Sequence, residues 1–237
     1  MARGPERPPR GLDRPRFEDS KSLRWMGLER IVRPMFSGLV EACVPISSFE
    51  PRGSGARLVL PVPAESAGDP WEPQLGESIS ISGCCLSVVT ADDGQLAFDL
   101  SAETLAKTWL GGAEVGRMVN LERSVRLVDR MGGHMVSGHV DAVGRVARIE
   151  DPGDGGRLFV FEVPEGFERW LLDKGSVTVD GISLTVVDPN GREFAVAVIP
   201  ETLARTCLGS AEPGQAVHLE GDMIGKWVEK LVVGAGG

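Results

Sequence analysis

The chain has 237 residues, 42% hydrophobic and 25% charged, which suits one large globular domain or two of roughly 100 residues each. Its net charge of -9 argues against nucleic acid as the main partner, because phosphate binding needs a basic face. No apolar run approaches the ~18 residues of a membrane-spanning helix, so neither a nucleic acid nor a membrane partner is expected.

Residues 1–34 hold eight arginines, five prolines and five acidic residues. That composition reads as a disordered extension and makes a poor transit peptide, since such peptides carry few acids. No apolar secretory core is visible either, and a reduced, cytoplasmic protein is the simplest reading. The four cysteines, Cys43, Cys84, Cys85 and Cys207, have the spacing of neither a zinc site nor a disulfide framework.

From Met35 onward the chain repeats itself. GCCLS at 83–87 matches GISLT at 181–185, ETL at 103–105 matches ETL at 201–203, and VNLE at 119–122 matches VHLE at 217–220, each offset by 98 residues. MFSGLVEA at 35–42 matches MVSGHVDA at 135–142 with an offset of 100. Two copies of this length read as two similar domains, not as a solenoid. Boundaries are expected at 35–132 and 133–221, with 222–237 as a terminal element and Met35 as a candidate functional start.

Within each copy the pattern is β. SISISG, QLAFDL, SVTVDG, LTVVD and FAVAVI are alternating or β-branched, and ADDG (91–94) and DPNG (188–191) are turn signals between strands. A small barrel or sandwich is the expected class. ETLAKTWLG and ETLARTCLG read as short helical turns ending at glycine. After Asp222, a candidate N-cap, Ile224, Trp227, Val228, Leu231 and Val232 form an apolar stripe at helical spacing. That stripe packs either on the chain's own barrel or on another subunit.

Several polar residues are candidates for chemistry. Ser183 and Thr185 lie two apart and share one face of a strand, where hydroxyls either bind a ligand or satisfy a barrel mouth. The first copy has Cys85 and Ser87 at those positions, and a buried cysteine is often inert. His134 and His139 are five apart, on opposite faces of a strand, which is poor for a shared metal, and no metal is expected. Lys174 aligns with Gly76 and Asp180 with Ser82, a difference in charge read as lying at a barrel rim; a solvated surface charge is the plainer reading.

Taken in order, MFSGLVE, the GCCLS and GISLT pair, GGHMVSGHVD, the two ETL…LG segments and LEGDMIGKWVEKL resemble riboflavin synthase over residues 35 to about 233. The resemblance implies an all-β fold of two six-stranded antiparallel Greek-key barrels in tandem plus a C-terminal α-helix, assembled as a homotrimer. It implies a cofactor-free dismutation of 6,7-dimethyl-8-ribityllumazine, with lumazine synthase as a possible partner. It further implies substrate contacts at Phe36, Gly38, Leu39, Val40, Cys84, Cys85, Leu86 and Asp99, continuing through Leu100, Ser101, Ala102, Glu103 and Thr104. In the second copy the implied contacts are Gly138, His139, Val140, Lys174, Ser183, Leu184 and Thr185, then Val198, Ile199, Pro200, Glu201 and Thr202. Catalytic roles would fall to His139, Ser183, Thr185, Cys85 and Asp222, and His134 is expected to be structural. Ser82 and Ser87 depart from the asparagine and threonine expected in the family. Lumazine-binding antenna proteins that keep one good site, and flavin carriers, are the alternatives. The intact GISLT and IPETL segments favour the enzyme.

Overall fold

The computed structural model describes residues 34–63 and 70–234, so the expectation for residues 1–33 lies outside the described residues. The first copy contains β1 (Ala42–Pro45), β2 (Ser48–Arg52), β3 (Gly55–Pro61), β4 (Ser78–Ile81), β5 (Cys84–Asp92), β6 (Gln95–Leu100) and β7 (Met118–Arg123). The second contains β8 (Ala142–Glu150), β9 (Arg157–Glu162), β10 (Ser176–Val179), β11 (Ile182–Thr185), β12 (Val187–Asn190), β13 (Glu193–Val198) and β14 (Ala216–Gly221).

All pairings are antiparallel, in the orders β1-β7-β4-β5-β6-β3-β2 and β11-β10-β14-β8-β9-β13-β12. The expected six strands appear as six paths cut into seven segments. β1 and β2 are one path broken at Ile46–Ser47. There Ile46 N–H donates to Arg117 O at 2.9 Å and Ser47 N–H donates to Val59 O at 2.9 Å, so the path passes from one neighbour to the other. The two ends of the sheet are thus halves of one path, and the sheet curls back on itself. In the second copy β8 is unbroken and the path of β11 and β12 is split instead, which gives the same cyclic order.

Alternation fills each barrel. In β3, Ala56, Leu58 and Leu60 point inward while their neighbours are half-exposed. The cores match across the repeat: Ile79 with Val177, Ile81 with Val179, Leu96 with Phe194, Phe98 with Val196, and Leu121 with Leu219, all fully or nearly fully buried. Each such side chain contributes roughly 1.5–3 kcal/mol by leaving water. The ETL segments form α1 (Ala102–Lys107) and α2 (Pro200–Arg205), each followed by a 3-10 turn. One turn assignment moves: Val187–Asn190 is strand with a register shift, and the turn falls at Gly191–Arg192. Asp188, at φ 46°, absorbs the irregularity inside β12.

A matched polar network joins the barrels. Asn120 Nδ2 donates to Asp180 O at 2.9 Å, and Asn120 Oδ1 accepts from Cys207 N–H at 2.8 Å. Across the seam, His218 Nε2 accepts from Trp109 N–H at 3.0 Å, so Nδ1 carries the proton and donates to Ser82 O at 2.8 Å. Asp180 Oδ1 accepts from Trp109 Nε1–H and His218 N–H, while Ser82 Oγ accepts from the equivalent Asn120 N–H. Asp180 is therefore not a rim charge; it is 3% exposed, in the seam. Burial pushes its carboxyl up to about 6 and pulls His218 down to about 3.

The hairpin turns of the two copies abut at this seam. Ser82–Gly83 and Asp180–Gly181 all have positive φ, as a two-residue type I′ turn requires. A Cβ on Gly83 would stand 2.8 Å from Gly181 N, and one on Gly181 would stand 2.7 Å from Gly83 N.

The terminal helix α3 (Met223–Gly234) starts at Asp222, whose Oδ1 accepts Ile224 N–H at 2.9 Å. It docks on the second barrel through polar contacts. Glu229 Oε2 accepts Trp170 Nε1–H at 2.7 Å, and Lys226 Nζ donates to Asp141. Its apolar stripe faces away: Ile224, Trp227, Val228, Leu231 and Val232 are 54–72% exposed.

Candidate active site

Two short straps, residues 36–40 and 136–140, build the site. Glu122 on β7 accepts Ser37 N–H (2.6 Å), Ser37 Oγ–H (2.7 Å) and Gly38 N–H (3.0 Å). Glu220 on β14 does the same for Ser137 N–H, Ser137 Oγ–H and Gly138 N–H. Burial raises both carboxyls, Glu122 to about 7; the Ser37 and Gly38 donors oppose the rise on Glu122, and the Ser137 donors and Lys226 oppose it on Glu220. The straps meet each other through Phe36 N–H to Val136 O at 2.8 Å and Val136 N–H to Phe36 O at 3.1 Å.

Each strap then lies on the other copy's barrel. Gly38 O accepts Ser183 N–H at 2.8 Å, and Gly138 O accepts Cys85 N–H at 2.8 Å. A Cβ on Gly38 would be 2.6 Å from Ser183 Cβ, and one on Gly138 would be 2.6 Å from Cys85 Cβ. Only glycine lets the backbones approach this closely.

The sequence candidates therefore fall into two matched groups. One has Cys84, Cys85 and Leu86 on β5, Asp99 and Leu100 ending β6, Ser101 capping α1, and Ala102, Glu103 and Thr104 in its first turn, with Gly138, His139 and Val140 from the second strap. The other has Ser183, Leu184 and Thr185 on β11, Val198 ending β13, Ile199 as N-cap, and Pro200, Glu201 and Thr202 opening α2, with Gly38, Leu39 and Val40 from the first strap. Phe36, Gly38, Cys84, Leu86, Leu100, Gly138 and Val198 are buried and form the floor. Leu39, Asp99, Ser101, Ala102, Glu103, His139, Lys174, Thr185, Ile199, Pro200 and Glu201 are exposed. The remaining candidates, Asp222 among them, are half-buried.

The electrostatics separate the candidates. Burial raises the Cys85 thiol and pushes Cys84 up to about 12, so neither is a thiolate at neutral pH. Arg57 grips Asp99 with two bonds of 2.8 and 2.9 Å and holds its carboxyl below the usual range. Lys174 sits at φ 62° in a turn where the first copy has Gly76, and donates its N–H to Val186 O as Gly76 donates to Val88 O.

His134, expected to be structural, lies against the Ser183 hydroxyl. Its Nδ1 lies 2.7 Å from Ser183 Oγ and its Nε2 lies 3.2 Å from Thr178 Oγ1. Burial lowers its pKa, so the ring is neutral at pH 7. The available signal was its place in GGHMVSGH, just ahead of the 136–140 strap; its N–H donates to Ser37 O at 3.1 Å. Among the described residues no group of three or more His, Cys, Asp or Glu could hold a metal ion. A cleft of about 430 Å³ opens beside Leu39 and Val40, lined also by Glu122 and Arg205, but it does not include Ser183 or Cys85.

Comparison with known proteins bears on this arrangement. Residues 37–124 and 137–222 each match the lumazine binding domain. A riboflavin synthase of Mycobacterium tuberculosis is 42% identical over 207 residues, covering 85% of this chain and 100% of that protein. One of Actinobacillus pleuropneumoniae is 37% identical over 199 residues, covering 84% and 90%. The crystal structure of LumP complexed with riboflavin superposes with a TM-score of 0.70 at 21% identity, covering 78% of this chain and 98% of that one, a likeness of fold.

Proposed function

We propose that this chain, which belongs to the riboflavin synthase family, carries out that family's reaction through its two matched half-sites. Two molecules of 6,7-dimethyl-8-ribityllumazine react; a four-carbon unit passes from one to the other. The products are riboflavin and 5-amino-6-(D-ribitylamino)uracil, at the last step of riboflavin biosynthesis. Donor and acceptor are the same compound, so the reaction calls for no cofactor. The observation that carries the reading is the construction of the half-sites: a polar strand, a helix N-terminus and a strap from the other copy, built twice. Two like sites suit two copies of one substrate.

The proposed roles draw on the geometry and on the family resemblance. Backbone groups at Val198–Thr202 and Asp99–Thr104, with the Ser183 and Thr185 hydroxyls, meet the polar edge and hydroxyl-rich tail of the lumazine. The reaction opens with loss of a proton from the 7-methyl group. His139, exposed at the end of its strap, assists that step, while neutral His134 orients the Ser183 hydroxyl. Cys85 acts as a thiol donor beside the substrate. Lys174 binds the substrate's polar edge, and Asp222 helps the transfer where one subunit meets the next.

The half-sites are open to the surface, and a neighbouring copy closes them in a homotrimer. What supports this is the exposed apolar stripe of α3, whose polar contacts already dock the helix to its own barrel. A lumazine synthase is the partner that supplies the substrate, and four free cysteines fit a reducing cytoplasm. Purified protein given the lumazine alone tests the reading: riboflavin should form, and lumazine bound without product would reassign the chain to a carrier.

A further inference from the structure

The fold brings together two cysteines that are 164 positions apart. Cys43 Sγ and Cys207 Sγ lie 2.7 Å from each other, closer than unbonded sulfurs rest. Both cysteines are tied to one residue, Asn120. Cys43 on β1 is the cross-strand partner of Asn120 on β7, and the Asn120 side chain holds Cys207 N–H at 2.8 Å. One residue of the first barrel therefore positions both thiols at the seam. At the mirrored place the repeat has Val143 beside His218 and Trp109 on it, a pair with no redox chemistry.

We propose that Cys43 and Cys207 are an oxidisable pair that closes as a reversible disulfide and locks the two barrels together. Cys43 is half-buried and reachable, whereas Cys207 is buried. The Cys207 S–H faces Cys43 and lowers its pKa, which makes Cys43 the attacking sulfur. With a peroxide as oxidant, the Cys43 thiolate attacks one peroxide oxygen and the O–O bond breaks, giving a sulfenic acid and hydroxide. Cys207 sulfur then attacks the sulfenic sulfur. The S–O bond breaks, and the departing hydroxide takes the Cys207 proton as water. Two thiols and one peroxide thus give one disulfide and two waters. A dithiol reductant reverses the step. Cys84 and Cys85 stay out of it: burial raises both thiols, and adjacent strand positions point them to opposite faces.

The test uses the full chain, fully reduced, then treated with hydrogen peroxide. Counting thiols in the denatured protein should show a fall from four to two, and peptide mapping should find the Cys43 and Cys207 peptides joined. Dithiothreitol should restore four. The bond spans most of both barrels, so oxidation should raise the melting temperature by roughly 5–10 °C. Cys43→Ser should keep three thiols under the same mild treatment, Cys207→Ser should lose one as a Cys43 sulfenic acid, and neither should form the cross-link or show such a rise. Four thiols remaining in the parent, a bond mapped to Cys84–Cys85, or oxidation ending in sulfinic acid without a cross-link would each overturn the proposal.

Discussion

The two barrels meet through equivalent strands, yet one presents Asn120 and the other His218. Both side chains perform the same task, one donor and one acceptor spanning the seam. An amide does this at any pH. An imidazole does it only when neutral, which is why burial must hold His218 down to about 3. The same geometry has therefore been met by two chemistries, and only one of them couples the seam to protons.

The largest effect is expected where both copies are equally constrained. Gly83→Val or Gly181→Val places a side chain against the opposing turn's backbone at positive φ, and should cost roughly 4 kcal/mol or more. Urea unfolding would detect it, and a near-silent substitution would show that the turns do not abut. Next, Asn120→Ala and His218→Ala each orphan two buried backbone groups, at a cost of roughly 2–5 kcal/mol at pH 7.

Acidification should then split that pair. His218 is depressed from 6.5 to about 3, so its contribution is full above 6.5 and fades as pH falls towards 3. At pH 4.5 about 2–3 kcal/mol of it should be gone. Asp180 and Glu122 act in the opposite sense. Their folded values of about 6 and about 7 lie above 3.8 and 4.5, so they favour folding at low pH and lose that contribution as pH rises through the folded value. Urea midpoints at pH 7 and 4.5 should show the gap between parent and His218→Ala narrowing, while the gap to Asn120→Ala stays.

The half-sites offer a functional comparison. Ser183→Ala should lower turnover about 10²-fold with the fold intact, because a hydroxyl held by His134 is lost. Cys85→Ala should do less, since its thiol is not ionised. The smallest effect is expected at Lys174, which holds a left-handed conformation that its counterpart Gly76 adopts freely. Lys174→Gly should raise stability by about 0.5–1 kcal/mol while weakening lumazine binding.

The tandem barrels were legible because a fixed offset survives in matched residues: GCCLS with GISLT, and the two ETL segments. The seam was not. In VNLE and VHLE, Asn120 and His218 look like ordinary polar strand residues, yet β7 and β14 are buried on both faces. The missed signal was parity. Asn120 and Glu122 share one face, as do His218 and Glu220, and a polar face repeated inside an apolar strand is one that meets a partner. Cys43 and Cys207 were unreadable for a different reason: they come from different copies and unmatched positions, so no periodicity joins them.

In the proposed function, two like half-sites serve two molecules of one substrate. A turnover assay of the purified chain with 6,7-dimethyl-8-ribityllumazine and no additive addresses it most directly, following both compounds by chromatography. One riboflavin should form for every two lumazines consumed. Lumazine bound tightly with no riboflavin formed would contradict it.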